Sequence, residues 1–442
     1  MEDQKIRELI SQGQWIALRD RLVDEPPPDI ADLLMQMRNP DRILIFRLLP
    51  RQIASEAFSY LEPSYQDTLL TDLTDEETRY ILTNLSPDDR TDFLEELPGQ
   101  AIQRLLNLLR PEDFKETRLL LGYPEESVGR LMTPDYIAVR RDWTIKQSLE
   151  HIRKKGRDSE TIDVVYVTDA AWKLLDAIDL RRFILSDPTE TVEQIMDYSF
   201  VSILVSYDRE EAVHLMQHYD LIALPVVDSE GVLLGIVTID DVLDVVEEET
   251  TEDFHKTAAV EPLKTSYRES TVWRLYRNRI IWLATLLGVN LFSSGVIAVY
   301  EETLASAIAL VFFIPLLMAS GGNVGAQSST LIVRAIATQD ITLNQWLWTI
   351  TRELCIGLLL GGTMATVIWL LGLFRSGFEI AIIVSVSMVL IVLVANILGV
   401  AVPLILTRFK LDPAVASSPL ITSIADVTCL MIYFAIATRV LG

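Results

Sequence analysis

The chain has 442 residues, half of them hydrophobic, and a formal net charge of −24 at pH 7. Residues 1–262 hold 27 Lys and Arg against 54 Asp and Glu, whereas residues 263–442 hold 11 against 8. The strongly acidic charge of residues 1–262 argues against nucleic acid as a partner and favours cations. The two cysteines, Cys355 and Cys429, provide neither a disulfide framework nor a thiolate metal site.

Residues 1–128 are predicted to form an all-α superhelical domain built from short helices. A leucine recurs there every twelve residues, and the repeated positions are Leu49, Leu61, Leu73, Leu85, Leu97 and Leu109. Segments such as "LTDEET" and "LSPDDR" follow them, and they combine a capping Ser or Thr with acids that suit the positive end of a helix dipole. An ordinary helical bundle with coincidental spacing is the alternative.

Residues 129–197 and 198–246 alternate apolar strands with helical patterns and echo each other, which predicts a tandem α/β pair. The second copy, with "LPVVDSEGVLLGIVT", resembles a CBS domain, the regulatory module named after cystathionine β-synthase. That family can hold an adenine nucleotide through a Gly-x-x-Thr-x-x-Asp pattern, here Gly235, Thr238 and Asp241. The first copy has Asp179 and Arg182 where Thr and Asp would stand, so we expect ATP at one site or at none.

An acidic helix, residues 242–268, is predicted to connect the second CBS copy to the first apolar run. From Asp240 to Asp253 there are eight acids and no base. Like charges four residues apart oppose helix formation, so this helix needs counter-cations. One interpretation of this helix is a solvated linker, and the other is a divalent-cation site. Its position between the CBS pair and the first apolar run favours the divalent-cation site. Carboxylates suit Mg²⁺ or Ca²⁺, and a second acidic face could share such ions through Asp88, Asp89 and Asp92.

Residues 274–442 are predicted to form an all-α membrane domain with five helices. Four uncharged runs of 21, 31, 21 and 28 residues, and a fifth interrupted only by Asp426, each reach the roughly 20 residues that cross a bilayer. The spans are expected at about 276–300, 303–335, 346–373, 379–408 and 413–440. Nine basic residues on one side against two on the other predict a cytoplasmic amino terminus, an external carboxyl terminus and a multi-pass protein of the plasma (inner) membrane.

Polar residues inside two of these spans predict a cation path. A carboxylate at the bilayer centre, as Asp426 would be, costs about 2.5–3.5 kcal/mol and usually faces a cavity or an ion pathway. Ser418 and Thr422 lie on the same helical stripe as Asp426, and Asn323 and Gln327 share a face of the second span. Hydrogen bonding between helices, with Asp426 protonated, is the alternative. One acid per chain is sparse for a divalent ion, so two chains around an axis are expected.

The segments "PLLMASGGNVGAQSSTLIVRAIA" and "DPAVASSPLITSIADVTCL" closely resemble the MgtE family of magnesium channels, as does the order of the units. The resemblance implies a homodimer with a pore on its axis, Asp426 as the ion-selecting aspartate, and the acidic connecting helix as a plug. It also implies that cytosolic Mg²⁺ bridges acidic faces and holds the pore shut. The implied regulatory ligands are Asp208, Glu210, Asp220, Asp241, Asp244, Glu249, Glu252 and Asp253, with Asp88, Asp89 and Asp92 in the helical domain.

The sequence therefore predicts a Mg²⁺-selective uptake channel rather than an enzyme, with Mg²⁺ both transported and regulatory. A transporter of other divalent cations such as Co²⁺ remains the alternative. An intramembrane protease would need a second facing aspartate or a Ser/His pair, and none of the four histidines lies in a predicted span. The expected partners are a second copy of the chain and the lipid bilayer, with no nucleic acid.

Overall fold

Two compact units, residues 1–247 and 248–442, make up the chain. The computed structural model describes residues 9, 12, 14–95, 97, 99–263, 267 and 270–441, except the side chains of Ser306 and Leu343. Residues 1–8 of the predicted helical domain, and residues 264–266 and 268 of the predicted connecting helix, lie outside the described residues.

The first unit begins with a domain of short helices. Their bounds are Trp15–Leu22, Pro27–Gln36, Asn39–Leu48, Arg51–Ser59, Pro63–Asp72, Asp75–Asn84, Pro87–Glu95, Gly99–Leu106 and Pro111–Leu120. A capping box fixes the start of the helix Asp75–Asn84: the Thr74 hydroxyl accepts a hydrogen bond from the Glu77 amide, and the Glu77 carboxylate accepts one from the Thr74 amide. Leucines at the twelve-residue spacing, such as Leu49 and Leu73, directly follow helix ends and are buried in one core. The repeat therefore reflects one core leucine per helix.

Two three-stranded mixed sheets with the same topology follow in the first unit. Their strands are β1 Ala138–Arg140, β2 Val164–Thr168 and β3 Leu174–Asp179, then β4 Ile203–Leu204, β5 Ala223–Val227 and β6 Leu233–Thr238. In each sheet the first strand is parallel to the second, which pairs antiparallel with the third. The helices of this region are Val128–Leu131, Ile145–Lys155, Leu180–Leu185, Val192–Ile195 and Arg209–Tyr219. Tyr166 and Ile236, from different sheets, share one buried cluster, so the two copies form a pair.

The connecting helix runs from Ile239 to Thr257, directly after β6. It begins three residues before the predicted start, because Ile239 follows the last strand residue without a loop. It ends eleven residues before the predicted end at residue 268. Ala259, just beyond the end, has a positive φ of 56°, a left-handed conformation that is common where helices terminate.

Among the described residues, five helices are long and apolar enough to cross a membrane. We call them the first to fifth apolar helices, and they span Val272–Val299, Ile308–Ala337, Trp346–Ser376, Phe378–Arg408 and Ser418–Leu441. The single helix expected over 303–335 is interrupted: Glu301–Ser306 is a separate helix, Ile308–Phe313 is a 3-10 turn, and the α-helix begins at Ile314 with Pro315 in its first turn. The fifth helix starts five residues after the expected residue 413, because Pro413–Val415 forms a 3-10 turn.

Candidate cation sites

The polar stripe that carries Asp426 packs against glycines of the second apolar helix. A Cβ added at Gly322 would lie 2.8 Å from the Thr422 methyl carbon, and one added at Gly321 would collide with the Cys429 sulfur. Small residues let helix backbones approach closely in this way. Thr422 and Asp426, one turn apart, are both half-buried. The structure thus brings the stripe of the fifth helix to the glycine-rich segment of the second.

The polar side chains of the second apolar helix divide into two faces. Asn323 and Gln327 are exposed on the surface of the single chain, whereas Ser328 and Ser329 are buried. The Ser329 hydroxyl donates a 2.9 Å hydrogen bond to the carbonyl of Ala416, ahead of the fifth helix. The inward serines therefore fix how the helix is rotated, and the outward amides are left for water or another surface.

A buried hydrogen-bond network joins three apolar helices and was not predicted from the sequence. Asn396 of the fourth helix is 1% exposed. Its Nδ2 donates to the backbone oxygen of Glu353 at 2.6 Å and to its carboxylate at 2.9 Å, while the Ser328 hydroxyl bonds Asn396 Oδ1. Its only signal in the sequence is a lone amide inside an uncharged run.

The first unit contains an acidic cluster, which we define as Asp88, Asp89, Glu160, Asp240 and Asp241. Asp88 is 7% exposed, and its Oδ1 has no hydrogen-bond partner among the described residues. Burial first, and then the charges of Asp241, Asp89 and Glu160, raise the pKa of Asp88 well above its usual range. The cluster therefore holds a buried carboxylate whose charge repels its neighbours.

Asp241, another member of the acidic cluster, also has a raised pKa. Burial raises the pKa of Asp241 to about 7, with further contributions from Asp240 and Asp89, although Thr238 donates a 2.7 Å hydrogen bond to its carboxylate. Burial also raises the pKa of Glu160, and Asp240 and Asp89 raise it further. Asp88, Asp89 and Asp241 were predicted from the sequence, whereas Asp240 and Glu160 were not.

No three His, Cys, Asp or Glu side chains in the described part of the chain are arranged to hold a metal ion directly. The acidic cluster thus offers negative potential and an unsatisfied carboxylate oxygen rather than a closed set of ligands. Mg²⁺ usually keeps several of its waters when it binds protein carboxylates. A hydrated divalent cation therefore suits the chemistry of this cluster.

The remaining regulatory candidates of the first unit lie on exposed helix surfaces. Asp92 follows Asp88 by one turn, and Asp244 follows Asp240 by one turn. Asp208 caps the helix Arg209–Tyr219 by accepting a 3.0 Å bond from the amide of Glu210. Asp220 stands at the opposite end of that helix, roughly 18 Å away at 1.5 Å per residue. Within one chain, Asp208 and Asp220 are therefore too far apart to share an ion.

A second acidic site lies in the second unit, around the end of the connecting helix. Lys256 pairs with Asp412 at 2.6 Å and also with Glu252. Burial first, and then the charges of Asp412, Glu249 and Glu252, raise the pKa of Asp253, whereas Lys256 lowers it. Glu249, Glu252 and Asp253 were predicted from the sequence. Lys256 and Asp412 were not, and Lys256 supplies one counter-cation from within the chain.

The nucleotide candidates are engaged in packing. A Cβ added at Gly235 would lie 2.7 Å from the carbonyl oxygen of Thr133, and Thr238 and Asp241 bond each other. A cavity of about 640 Å³ lies elsewhere in the first unit. It is lined chiefly by Asp163, Asp179, Leu180, Arg181, Ile184 and Ile222. This cavity, lined mainly by residues of the first CBS copy, could admit a nucleotide.

These features define a class: a multi-span membrane protein whose acidic half joins a helical domain to a CBS pair. Family models match three segments, the divalent cation transporter MgtE at 314–436, the MgtE intracellular N domain at 25–126 and the CBS domain at 192–248. The magnesium transporter MgtE of Thermus thermophilus is 39% identical over 441 residues, covering 99% of this chain and 98% of the relative. That of Bacillus subtilis is 30% identical over 431 residues, covering 97% and 95%. The chain belongs to the MgtE family.

Two solved structures resemble the first half of the chain. The cytosolic domain of the Mg²⁺ channel MgtE in complex with ATP is 39% identical with a TM-score of 0.53, covering 55% of this chain and 99% of that one. The soluble part of a magnesium transporter is 25% identical with a TM-score of 0.53, covering 56% and 97%. The predicted family and fold class are therefore confirmed, including five apolar helices that suit a membrane transporter.

Proposed function

We propose that the chain is a Mg²⁺-selective channel for magnesium uptake. The placement of Asp426 carries this proposal: it stands on a half-buried polar stripe, one turn from Thr422, which packs on Gly322 of the second apolar helix. An intramembrane carboxylate in such a place attracts cations. Two relatives named magnesium transporters, similar along nearly the whole chain, support Mg²⁺ as the ion.

A homodimer would complete this path. Asn323 and Gln327 are exposed on the surface of one chain, and amide groups facing hydrocarbon are unfavourable. A second copy across a central axis would enclose these amides around water and double the number of carboxylates. Two copies of Asp426, Ser418 and Thr422 could then hold a Mg²⁺ ion that keeps most of its hydration shell. The amino-terminal half would lie in the cytoplasm and the carboxyl terminus outside.

Cytosolic Mg²⁺ would close this channel through the acidic sites. Like charges that repel when empty and are bridged when an ion binds form an element with two states. In the acidic cluster the ion would lie between Asp88 and Asp241, where burial and, after it, the charges of neighbouring carboxylates raise the pKa of both carboxyls. In the second unit Mg²⁺ would compete with Lys256 for the carboxylates that surround this lysine. The remaining proposed ligands of these regulatory ions are Asp89, Asp92, Asp208, Glu210, Asp220, Asp244, Glu249, Glu252 and Asp253.

ATP is a second ligand that the first unit could hold. A relative's cytosolic domain of similar fold was solved in complex with ATP. The 640 Å³ cavity combines apolar walls with Asp179 and Arg181, groups that suit a base, a ribose and a phosphate. Radiolabelled ATP bound by the full chain and lost in Arg181→Gln would support this assignment. Unchanged binding in that variant would exclude the cavity.

Mg²⁺ uptake into liposomes that contain a Mg²⁺ indicator tests the proposed function. We expect Asp426→Asn to abolish uptake, whereas Asp340→Asn, an exposed carboxylate between apolar helices with the same charge change, leaves it intact. Equal uptake by both variants would move the ion path away from Asp426. Entry of Co²⁺ without Mg²⁺ through the wild-type chain would favour the alternative substrate.

Gating needs its own measurement. We expect Glu249→Gln with Glu252→Gln to weaken inhibition of uptake by Mg²⁺ on the cytoplasmic side, because the empty site then repels less and binds the ion less well. Inhibition equal to that of the wild type would contradict the gating proposal while leaving transport itself intact.

A further inference from the structure

The amino-terminal end of the first apolar helix presents a strongly basic, aromatic surface. Arg274, Arg277 and Arg279 lie within its first eight residues and are exposed. Trp273 and Tyr276 stack there with ring centroids 5.4 Å apart and an interplanar angle of 24°. In the part of the chain that the structure describes, neither the Arg277 side chain nor the Arg279 side chain has an ion-pair or hydrogen-bond partner. Two positive charges are therefore uncompensated beside an apolar helix.

One face of this helix forms a groove of about 360 Å³. It is lined by Tyr267, ahead of the helix, and by Val272, Leu275, Tyr276, Arg279, Ile280 and Leu283. The helical positions recur every three or four residues, so they lie on one side of the helix. The groove thus has an apolar floor and a guanidinium at its edge, a combination that fits an amphiphilic occupant.

The groove continues into an uncovered apolar stripe. Leu283, Leu287 and Leu291 are 59%, 65% and 67% exposed, and they lie on successive turns. Within the described residues, only Leu286 and Ser293 of this helix are buried. Eight residues of helix measure about 12 Å, a length that the first half of an acyl chain can follow. The occupant therefore has a negative head beside Arg279 and a hydrocarbon tail along the leucines.

An anionic phospholipid meets these requirements. Arginine binds phosphate oxygens with paired, charge-assisted hydrogen bonds, and Trp and Tyr are enriched where the headgroups meet the hydrocarbon. Basic clusters beside a membrane helix attract acidic lipids by about 1 kcal/mol per Arg near the surface. A soluble phosphate would use the arginines but would gain nothing from Leu283 or Leu287. We propose that this groove binds an anionic phospholipid, with its phosphodiester on Arg277 and Arg279.

The bound lipid would stiffen the joint between the connecting helix and the membrane. Asn278, between the two arginines, donates from Nδ2 to the backbone oxygens of Glu261 and Pro262 at 3.2 and 3.3 Å, and its own carbonyl accepts from the Glu261 amide at 3.0 Å. Anchoring this turn of helix therefore anchors the segment that follows the connecting helix. An effect of lipid on Mg²⁺ uptake rests on the proposed function, whereas lipid binding does not.

Native mass spectrometry of the full chain tests the binding. The purified protein is titrated with phosphatidylglycerol or with zwitterionic phosphatidylcholine, and bound lipids are counted for monomer and dimer separately. We expect Arg277→Gln with Arg279→Gln to weaken phosphatidylglycerol binding about 25-fold, or about fivefold per arginine, and to leave phosphatidylcholine binding unchanged. Arg375→Gln with Arg439→Gln, an equal charge change at the other ends of the apolar helices, should retain wild-type binding.

Other outcomes would overturn the inference. Phosphatidylglycerol binding that is equal in the two double variants would show that the groove is not the site. A loss of dimer with lipid binding intact would identify a second copy of the chain as the occupant. Displacement of the lipid by inorganic phosphate at equal concentration would indicate a soluble anion. Arg277→Lys with Arg279→Lys keeps both charges and should therefore retain most of the phosphatidylglycerol binding. That result would show that the glutamine variant loses binding through its lost charge and not through misfolding.

Discussion

Lys256 Nζ lies 2.6 Å from Oδ2 of Asp412, although the two residues are 156 positions apart. The contact joins the last turn of the connecting helix to the 3-10 turn before the fifth apolar helix, where the other carboxylate oxygen of Asp412 accepts a 2.7 Å bond from the Ala414 amide. Burial alone would lower the pKa of Lys256, but its bonds to Asp412 and Glu252 raise it above the usual value. Lys256 is therefore charged throughout the physiological pH range.

Lys256→Gln should loosen the end of the connecting helix. The variant leaves Asp412, Glu252 and Asp253 without their counter-charge, and a partly exposed ion pair is worth up to about 1 kcal/mol. We expect amide hydrogen exchange in residues 250–257 to quicken by about fivefold at low ionic strength. Lys410→Gln, an exposed lysine two residues from Asp412, should leave exchange unchanged.

A charge swap separates this ion pair from other roles of Lys256. Lys256→Glu should quicken exchange further, because it adds another carboxylate to the site, and Lys256→Glu with Asp412→Lys should restore much of the protection. Equal exchange in the single and the swapped variants would mean that the contact does not hold the helix.

The acidic cluster predicts a pH dependence for the ion-free chain. An acid whose pKa is higher in the folded than in the unfolded state stabilises the fold at low pH and loses that contribution as pH rises through the folded pKa. Asp241 has a pKa of about 7 against an ordinary value of 3.8, and the pKa of Asp88 is also raised. This contribution is full below about pH 3.8 and is lost by about pH 7. With chelator present, protection of helix Pro87–Glu95 should therefore decline from pH 5 to pH 8.

Hydrogen exchange corrected for its intrinsic pH dependence measures this effect. Mg²⁺ should restore protection at pH 8 and change little at pH 5, where protons already neutralise the cluster. Asp88→Asn should flatten the pH profile, whereas Asp67→Asn, an exposed carboxylate in the same domain, should not. Protection that rises from pH 5 to pH 8 without divalent ions would contradict the reading of the cluster as a repulsive element.

Short-range patterns in the sequence were enough to predict the classes of structure. Helix starts such as Thr74 and the five apolar runs depend on residues within a few positions of each other, so spacing and composition reveal them. The break at Ala307 was missed because an uncharged run gives no sign of where its hydrogen bonding changes. Glu160 and Asp412 were missed because each joins its acidic group only through the tertiary fold. Carboxylates that were predicted, such as Asp241 and Glu252, stood in a continuous acidic run.

Asn396→Ala should destabilise the membrane domain. It removes the hydrogen bonds to Glu353 and Ser328 and leaves the Glu353 carboxylate without its amide partner. Hydrogen bonds between membrane helices average about 0.6 kcal/mol, so we expect a total loss of about 1–2 kcal/mol in unfolding by SDS. Ser328→Ala should cost less, since it removes one bond. Asn323→Ala, which removes an exposed amide of the second apolar helix, should leave stability unchanged, and an equal loss in both Asn variants would argue against the network.

Gly399→Ala and Gly362→Ala should have opposite effects on stability. A Cβ at Gly399 would collide with the carbonyl oxygen of Gly325 and lie 2.9 Å from Cβ of Ser328, whereas one at Gly362 would meet nothing within 4 Å. The obstacle at Gly399 includes the backbone of the second apolar helix, which cannot rotate away as a side chain can. Overpacking of this kind costs about 1–3 kcal/mol, whereas alanine at an open helical position gains up to about 1 kcal/mol over glycine.

Thermal unfolding of the two variants in the same detergent checks this prediction. Gly399→Ala should lower the midpoint and Gly362→Ala should hold or raise it. Gly399 of the fourth apolar helix packs against Ser328 and the glycines of the second apolar helix. The same change should therefore also disturb the second helix, which carries Asn323 and Gln327. Reduced Mg²⁺ uptake by the folded fraction of Gly399→Ala, with normal uptake by Gly362→Ala, is the expected result. Equal midpoints would mean that the fourth and second helices are farther apart than the structure places them.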